Sequence, residues 1–498
     1  MSLKKNIFAN YLGQAWTALM GLAFVPVYIQ QLGMEAYGIV GLYTLLQAGL
    51  VLLDMGISQT LNREMARFTA GQYTEREIQI FLRSVEIVGA VAALFLGTAI
   101  FLGAHGIAGY WVRAQHLPIP EIQTAISTMG LIVALRVMEG LYRGGIAGLQ
   151  QQIVLNMVGA GVATGRWAGA ACIVLWLQPS ITAFFIWHAC VSAIAVMAYR
   201  YILYRSLPTT EKKIGFSIHA LKKVQRFTGG MLVTTVLALV LTQSDKLLLS
   251  RILSLEAFGY YTLATLVSSA LNLAGGPVTQ ALYPRFTELA TQKDTVHLAH
   301  SYHFGAQLIS VITMPPALLL IFFSQDLITA WTGNSALATQ VAPILAPMAI
   351  GTLLNGIMGM PYILQLAHGW TGFAARMNMV AVAILVPMII WIAPRYGAIG
   401  AAWVWVALNT GYIFLGIHFM HQRLLPQEKW NWYWQDILIP GMPISVVMFI
   451  SHTVHPTTLG KVGEWCWLVG SVLLALIFGS LFSKYIREKL NKIYLFHK

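Results

Sequence analysis

Apolar residues run along this chain in long stretches, separated by short polar connections rich in Lys and Arg. The stretches fall at 8–30, 37–61, 80–104, 122–146, 153–177, 180–204, 227–250, 257–282, 302–324, 338–363, 372–393, 397–420, 436–453 and 465–483. Each approaches the length a helix needs to cross a hydrocarbon core of about 30 Å at ~1.5 Å per residue. The runs keep a helical period and lack the strict alternation of barrel strands. The pattern therefore predicts an all-α polytopic membrane protein with about 14 transmembrane helices. The longest connections, 62–79, 105–121, 205–226 and 283–301, leave no room for a soluble domain. The first run, Phe8 to Ile29 behind Lys4 and Lys5, is too long for a signal-peptide core and reads as the first membrane helix.

Composition agrees with that pattern. Of 498 residues, 57% are hydrophobic and 10% charged, with a mean hydropathy of +0.67; an ordinary soluble domain carries about 25% charged residues. Charge placement orients the helices. With the N-terminus inside, 24 of the 31 Lys and Arg residues fall in inner segments or at the inner ends of spans. Four, Arg113, Arg251, Arg395 and Lys461, fall outside. Arg136, Arg166 and Lys246 lie within spans. This asymmetry satisfies the positive-inside rule and predicts two cytoplasmic termini. The net charge of +13 is then explained by basic loops facing anionic lipid, with no need for nucleic acid. Cys172, Cys190 and Cys466 all sit in apolar runs, without metal-ligand or disulfide spacing, and read as small buried hydrophobes.

The chain also repeats itself. Shifted by 221 positions, Leu32-Gly33-Met34-Glu35-Ala36-Tyr37-Gly38 falls on Leu253-Ser254-Leu255-Glu256-Ala257-Phe258-Gly259, and 11 of the 30 pairs from 32 to 61 are identical. The second span thus matches the eighth. An even offset of six spans preserves orientation, so the repeat is parallel, about an axis along the membrane normal. The expected organisation is an N-terminal lobe at 1–206, a C-terminal lobe at 207–424 that includes the cytoplasmic linker 205–226, and two further helices with a basic tail at 425–498. A central cavity between two such six-helix lobes is where transporters place substrate.

Three stretches resemble the polysaccharide flippase family, which includes O-antigen (Wzx-type) translocases and belongs to the superfamily of multidrug antiporters and the lipid II flippase. They are Asn10-Tyr11-Leu12-Gly13 through Pro26 to Tyr37-Gly38, then Ser244-Asp245-Lys246-Leu247-Leu248-Leu249 followed by Phe258-Gly259-Tyr260-Tyr261, and Tyr396-Gly397-Ala398-Ile399-Gly400-Ala401-Ala402. The likeness reaches from the start through the twelfth span. It implies a monomeric transporter of a bacterial inner membrane. It also implies that an undecaprenyl-pyrophosphate-linked oligosaccharide, loaded on the cytoplasmic face, is moved to the periplasmic leaflet. Polymerase and other polysaccharide-assembly proteins are the implied partners, for an O-antigen-like surface polymer. Fourteen spans rather than twelve departs from many O-antigen members.

Charges inside the membrane are the candidate chemistry, because each costs about 2.5–3.5 kcal/mol at mid-bilayer unless it meets water or a partner. Arg136, Glu139 and Arg143 are spaced by three and four and share one helix face. Arg166 stands at a similar depth in the next span. An arginine fork pairs two phosphate oxygens at once, so Arg136 and Arg166 are the leading candidates for a pyrophosphate, with Arg143, Lys246 and Arg376 behind them. The competing reading for Arg136 is an internal salt link to Glu139. Arg143 and Arg376 lie close enough to the inner surface to snorkel. Glu139, Asp54 and Asp245 are candidate carriers for H⁺ or Na⁺ coupling. His188 reads as a polar packing residue. Trp167, Trp176, Trp187, Trp403 and Trp405 could stack on sugars but equally serve as interfacial anchors, and none is assigned. Pro315-Pro316, Pro343, Pro347 and Pro387 predict kinks, and Gly275-Gly276-Pro277 predicts a break in the eighth span.

Other functions fit less well. A multidrug or cation antiporter wants an acidic cavity, whereas the intramembrane cations here match or outnumber the acids. A lipid-linked glycosyltransferase or polymerase wants a long outer loop with catalytic groups, and the chain has no Asp-x-Asp. Gly460-Lys461 lacks the first Gly of a P-loop. The expectation is a secondary transporter working by alternating access, not an enzyme, with no metal and no cofactor.

Overall fold

The structure, a computed structural model, describes residues 3–208, 215–218, 239–240, 242–456 and 460–488, with the side chains of 3–9, 51–57 and 371 outside that description. Ten helices among the described residues are long and apolar enough to cross a membrane. They account for eleven of the expected spans, because Gly372–Leu424 holds two. The span expected at 37–61 lies inside one 36-residue helix. The span at 257–282 forms two consecutive helices, and most of 227–250 lies outside the described residues. The chain separates into two compact units, Met1–Gly259 and Tyr260–Lys498.

In the first unit, α1 (Leu3–Ala23) is followed by α2 (Val25–Leu32), with Pro26 in the first turn of α2, where its missing N–H costs nothing. Then come α3 (Met34–Thr69), α4 (Glu75–Gly106), α5 (Ile119–Gly148), α6 (Gln152–Trp176) and α7 (Ile181–Arg205). Thr74 and Glu77 close α4 with a reciprocal capping box. Helix α5 is the hub, packing against α3, α4 and α7. Gly144 and Gly148, one turn apart, let its backbone approach that of α3: a Cβ at Gly144 would stand 2.5 Å from the Ser58 carbonyl oxygen. That contact brings the polar inner end of α3 beside the charged face of α5. The Asn10 and Gly13 motif is also a packing device. Asn156 Nδ2 of α6 donates to Asn10 Oδ1 at 2.6 Å, and a Cβ at Gly13 would collide with Asn156.

The paired sequence at 32–38 and 253–259 meets itself within this unit. Gly38 faces the backbone carbonyl of Leu255, and a Cβ at Gly259 would stand 2.6 Å from the Met34 carbonyl oxygen. Glu35, buried, accepts backbone N–H groups from Gln115, from His116 at 2.9 Å and from Leu117 at 3.0 Å. This ties the 112–118 connection to the start of α3.

Helix α8 (Leu255–Ser269) begins beside that contact and is followed by α9 (Leu271–Gln292), α10 (Thr295–Phe322), α11 (Ser324–Thr332), α12 (Ser335–Ile357), α13 (Gly359–Ala367) and α14 (Thr371–Gly411). After these come α15 (Ile417–Leu424), α16 (Ile439–Thr453) and α17 (Lys461–Phe482). The break expected at Gly275-Gly276-Pro277 falls instead at Ala270, between α8 and α9; Pro277 lies inside α9. Pro315, Pro316, Pro343, Pro347 and Pro387 lie inside helices as expected. Gly397 has φ 60° and ψ −147°, a conformation open only to glycine, and divides α14 where the two expected spans meet. The core of the second unit joins α9 and α10 to α15, α16 and α17 through Phe286, Tyr302, Ile417, Trp432 and Ile444. Two cysteine readings need correction: Cys190 and Cys466 are exposed, on the outward faces of lipid-length helices, because an apolar run in a membrane has no obligatory inside.

Candidate substrate-binding site

The spacing of Arg136, Glu139 and Arg143 on α5 puts all three on one face, and the structure adds Arg166 from α6. Glu139 is only 2% exposed and is the centre of the group. Arg136 Nη1 and Arg143 Nη1 each lie 3.5 Å from Glu139 Oε1, and Arg166 Nη2 lies 3.1 Å from Glu139 Oε2. Arg166 Nη2 also donates to Ser192 Oγ of α7 at 3.3 Å, while its Nε meets no acceptor among the described residues. Three guanidiniums on one carboxylate leave an excess of two positive charges. In a low-dielectric setting such an excess draws an anion strongly.

A cavity of about 430 Å³ opens on this group. Arg136, Glu139 and Arg143 line it from α5, and Ser58, Gln59 and Asn62 line it from α3. Gly140 and Gly144 keep its α5 wall low. Arg143 is the most exposed of the three arginines, its guanidinium 5.7 Å from the centre of the Tyr199 ring. Arg166 is not in the cavity wall; its side chain is 7% exposed and braces Glu139 from α6. The leading pair read from sequence is thus redistributed. Arg136 and Arg143 face the space, and Arg166 holds their counter-ion. The internal link from Arg136 to Glu139 exists as well.

A family model described as "Polysaccharide biosynthesis protein" matches residues 3–290, more than half of the chain. The chain belongs to this family. A Shigella flexneri protein assigned as an O-antigen transporter is 19% identical over 405 residues, covering 81% of this chain and 94% of its own. The amylovoran biosynthesis protein AmsL of Erwinia amylovora is 23% identical over 223 residues, 42% of this chain and 54% of its own. Among solved structures, the lipid II flippase MurJ in an inward closed conformation is similar with a TM-score of 0.71 at 14% identity, covering 96% of this chain and 98% of its own. An inward-facing multidrug transporter of the MATE family is similar with a TM-score of 0.67 at 12% identity, over 82% of this chain and 94% of its own. The chain is thus a member of the polysaccharide biosynthesis family with several helices of membrane-spanning length, and it shares its fold with those transporters.

Lys246, Asp245 and Arg376 are not among the residues that line the cavity. Lys246, on the helical stretch 242–250, has its Nζ 3.7 Å from Asp245 Oδ1 and 3.2 Å from the Thr242 carbonyl oxygen. Arg376 is exposed on α14, and its Nε donates to the Gly372 carbonyl at 3.1 Å. Asp54 belongs to the stretch whose side chains are outside the described residues. His188 is fully buried, with the Phe184 ring centre at 4.3 Å and Trp167 at 5.4 Å, and neither ring nitrogen meets a partner among the described residues. Trp187 is committed to packing, donating to the Gly165 carbonyl at 2.8 Å, and Trp176 and Trp403 are exposed.

A second buried polar group escapes sequence reasoning. Asp436 is fully buried; its Oδ2 lies 2.5 Å from His303 Nδ1, and its Oδ1 accepts from Gln307 Nε2 at 3.1 Å. His303 Nε2 lies 3.1 Å from Glu428 Oε2, and Gln307 Oε1 accepts the Tyr485 N–H at 3.0 Å. The only sequence signal is polar residues on one face of α10, at 303 and 307. Asp326, His455 and Glu464 also gather within 4.8 Å of one another, with the His455 Nε2 to Glu464 Oε1 distance at 3.1 Å.

Proposed function

We propose that this protein translocates an undecaprenyl-pyrophosphate-linked oligosaccharide from the cytoplasmic to the periplasmic leaflet by alternating access, for an O-antigen-like surface polysaccharide. One observation carries the reading: Arg136 and Arg143 line a cavity with an uncompensated positive charge around Glu139. A cation-exporting site would need the opposite sign. Phosphate oxygens entering the cavity take over N–H donors that Arg136 and Arg143 share with Glu139, and the fork geometry suits a diphosphate. Arg166 positions Glu139 and so keeps the two arginines apart and aimed. Lys246 and Arg376 contribute through the field of the chain rather than through this cavity. Coupling to H⁺ or Na⁺ entry, with Glu139, Asp54 and Asp245 as carriers, completes the cycle. The Lys and Arg distribution supports an inner-membrane topology with both termini cytoplasmic.

The test is complementation in a strain that depends on this gene for surface polysaccharide. Arg136→Ala with Arg143→Ala is expected to abolish polymer while membrane insertion and amount stay unchanged. Arg376→Ala is expected to retain it. Normal polymer in the double variant removes the site assignment. In reconstituted vesicles, transport of a pyrophosphate-linked glycolipid that persists without any H⁺ or Na⁺ gradient removes the coupling.

A further inference from the structure

Away from the Glu139 cavity, α4 and α7 enclose a second space of about 580 Å³ near the start of α4 and the end of α7. Gln79 and Arg83 line it from α4, and Met197, Arg200, Tyr201 and Tyr204 from α7. Three of these residues, Arg83, Arg200 and Tyr204, reach Glu86, which is 4% exposed. Arg83 Nη1 lies 3.2 Å from Glu86 Oε2, Arg200 Nε lies 4.0 Å from Oε1, and the hydroxyls of Tyr142 and Tyr204 donate to the same carboxylate at 2.9 and 2.7 Å. Two guanidiniums carry ten N–H donors between them, and one carboxylate already taken by two hydroxyls cannot absorb them. Both arginine side chains are about half exposed, at 48% and 55%. Arg205 adds a third positive charge at the rim, its Nη1 donating to the Tyr201 hydroxyl at 3.3 Å. Gln79 is 7% exposed, and its Oε1 meets no donor among the described residues.

The apolar surroundings say what fills this space. On α7, Ile186, Cys190, Ile194, Met197 and Tyr201 recur at spacings of three and four, and all are exposed. On α4, Val88, Val91, Leu94 and Phe95 are exposed as well. Two apolar stripes on lipid-length helices run up to one cationic pocket, at the membrane edge that carries most of the Lys and Arg. Half-exposed arginines over tyrosines at that depth match a phosphate ester with hydrocarbon tails.

We propose that the α4–α7 pocket is a binding site for an anionic glycerophospholipid of the cytoplasmic leaflet. Its phosphate sits between Arg83 and Arg200, its headgroup hydroxyl donates to Gln79 Oε1, and its acyl chains lie along the Ile186–Ile194–Met197 stripe. This site is distinct from the Glu139 cavity and does not depend on what that cavity carries.

The full chain, equilibrated in equimolar phosphatidylglycerol and phosphatidylcholine nanodiscs and released into the gas phase, is read by native mass spectrometry. A retained phosphatidylglycerol with a roughly tenfold preference is expected, given what each basic group contributes near a charged leaflet. Arg83→Gln with Arg200→Gln brings the two lipids close to parity. Met197→Trp fills the mouth of the pocket without altering any charge and is expected to do the same, which keeps the test decisive if the arginine variant folds poorly. Equal retention of both lipids by the unaltered chain overturns the proposal, as does a preference that survives Met197→Trp. Glycerol phosphate is the tail-free control. If it displaces the lipid at equal concentration, the site reads phosphate alone and the lipid assignment falls.

Discussion

Glu139 and Asp436 are both buried carboxylates on segments of membrane-spanning length, and their surroundings differ in kind. Glu139 meets three arginines and a cavity. Asp436 meets a histidine and a glutamine in a hydrogen-bonded group also flanked by Glu428 and Tyr485. Isolated, either charge would be costly. The first unit offsets that cost with an excess of opposite charge and leaves it accessible. The second offsets it with hydrogen bonds and closes the group off. An over-compensated, open ion cluster is a place to exchange partners; a satisfied, closed one fixes α10 to the α16 region. Under the proposed function, substrate contact would belong to the cluster of the first unit and scaffold duty to that of the second.

Four substitutions test that division, in falling order of effect. Glu139→Gln leaves three arginines without their anion. Removing one partner of a buried ion pair costs about 3–5 kcal/mol, so a large fall in thermal stability in detergent is expected together with loss of surface polysaccharide. A stable, active Glu139→Gln protein would show that the arginines do not need their counter-ion. Asp436→Asn keeps an acceptor for Gln307 but disturbs the His303 contact. A stability loss of roughly 1–3 kcal/mol is expected, with polysaccharide retained. If Asp436→Asn instead stops transport at unchanged stability, the closed network is not scaffold and the contrast fails. Arg166→Lys keeps the charge but loses the fork that spans Glu139 and Ser192. Reduced polymer at normal protein level is expected, with a stability change of about 1–2 kcal/mol. His188→Phe removes two ring nitrogens from an aromatic cage, and the melting curve should hold or rise by about 1 kcal/mol. A clear loss there would mean that the ring has a polar partner in the folded protein.

Much of this was legible in the chain, for reasons that can be stated residue by residue. Helix-length apolar runs and the Lys and Arg asymmetry follow from the solvent, so the all-α membrane class is written locally. Arg136, Glu139 and Arg143 follow from a three-and-four spacing within one helix. What spacing cannot fix is which helix stands opposite. Arg166 shares its depth with Arg136, yet its role depends on Ser192 of a third helix, and sequence alone aims it at substrate rather than at Glu139. Asp436 and His303 lie 133 positions apart and announce nothing to each other. The break at Ala270 rather than at Gly275-Gly276-Pro277 shows that a helix can carry glycines and a proline when packing supports it. The family-like stretches turned out to be contact and turn residues: Asn10 and Gly13 hold α6, and Gly397 makes a bend that only glycine allows. That is why they report the fold better than they report the cargo.

Where Gly38 and Gly259 meet, main chain lies on main chain. Beside it stand the side chains of Leu255 and Met34, and the two helix starts come closer than any intervening side chain would permit. A single methyl group added at either position would be driven into the opposite main chain and would prise the two helix starts apart.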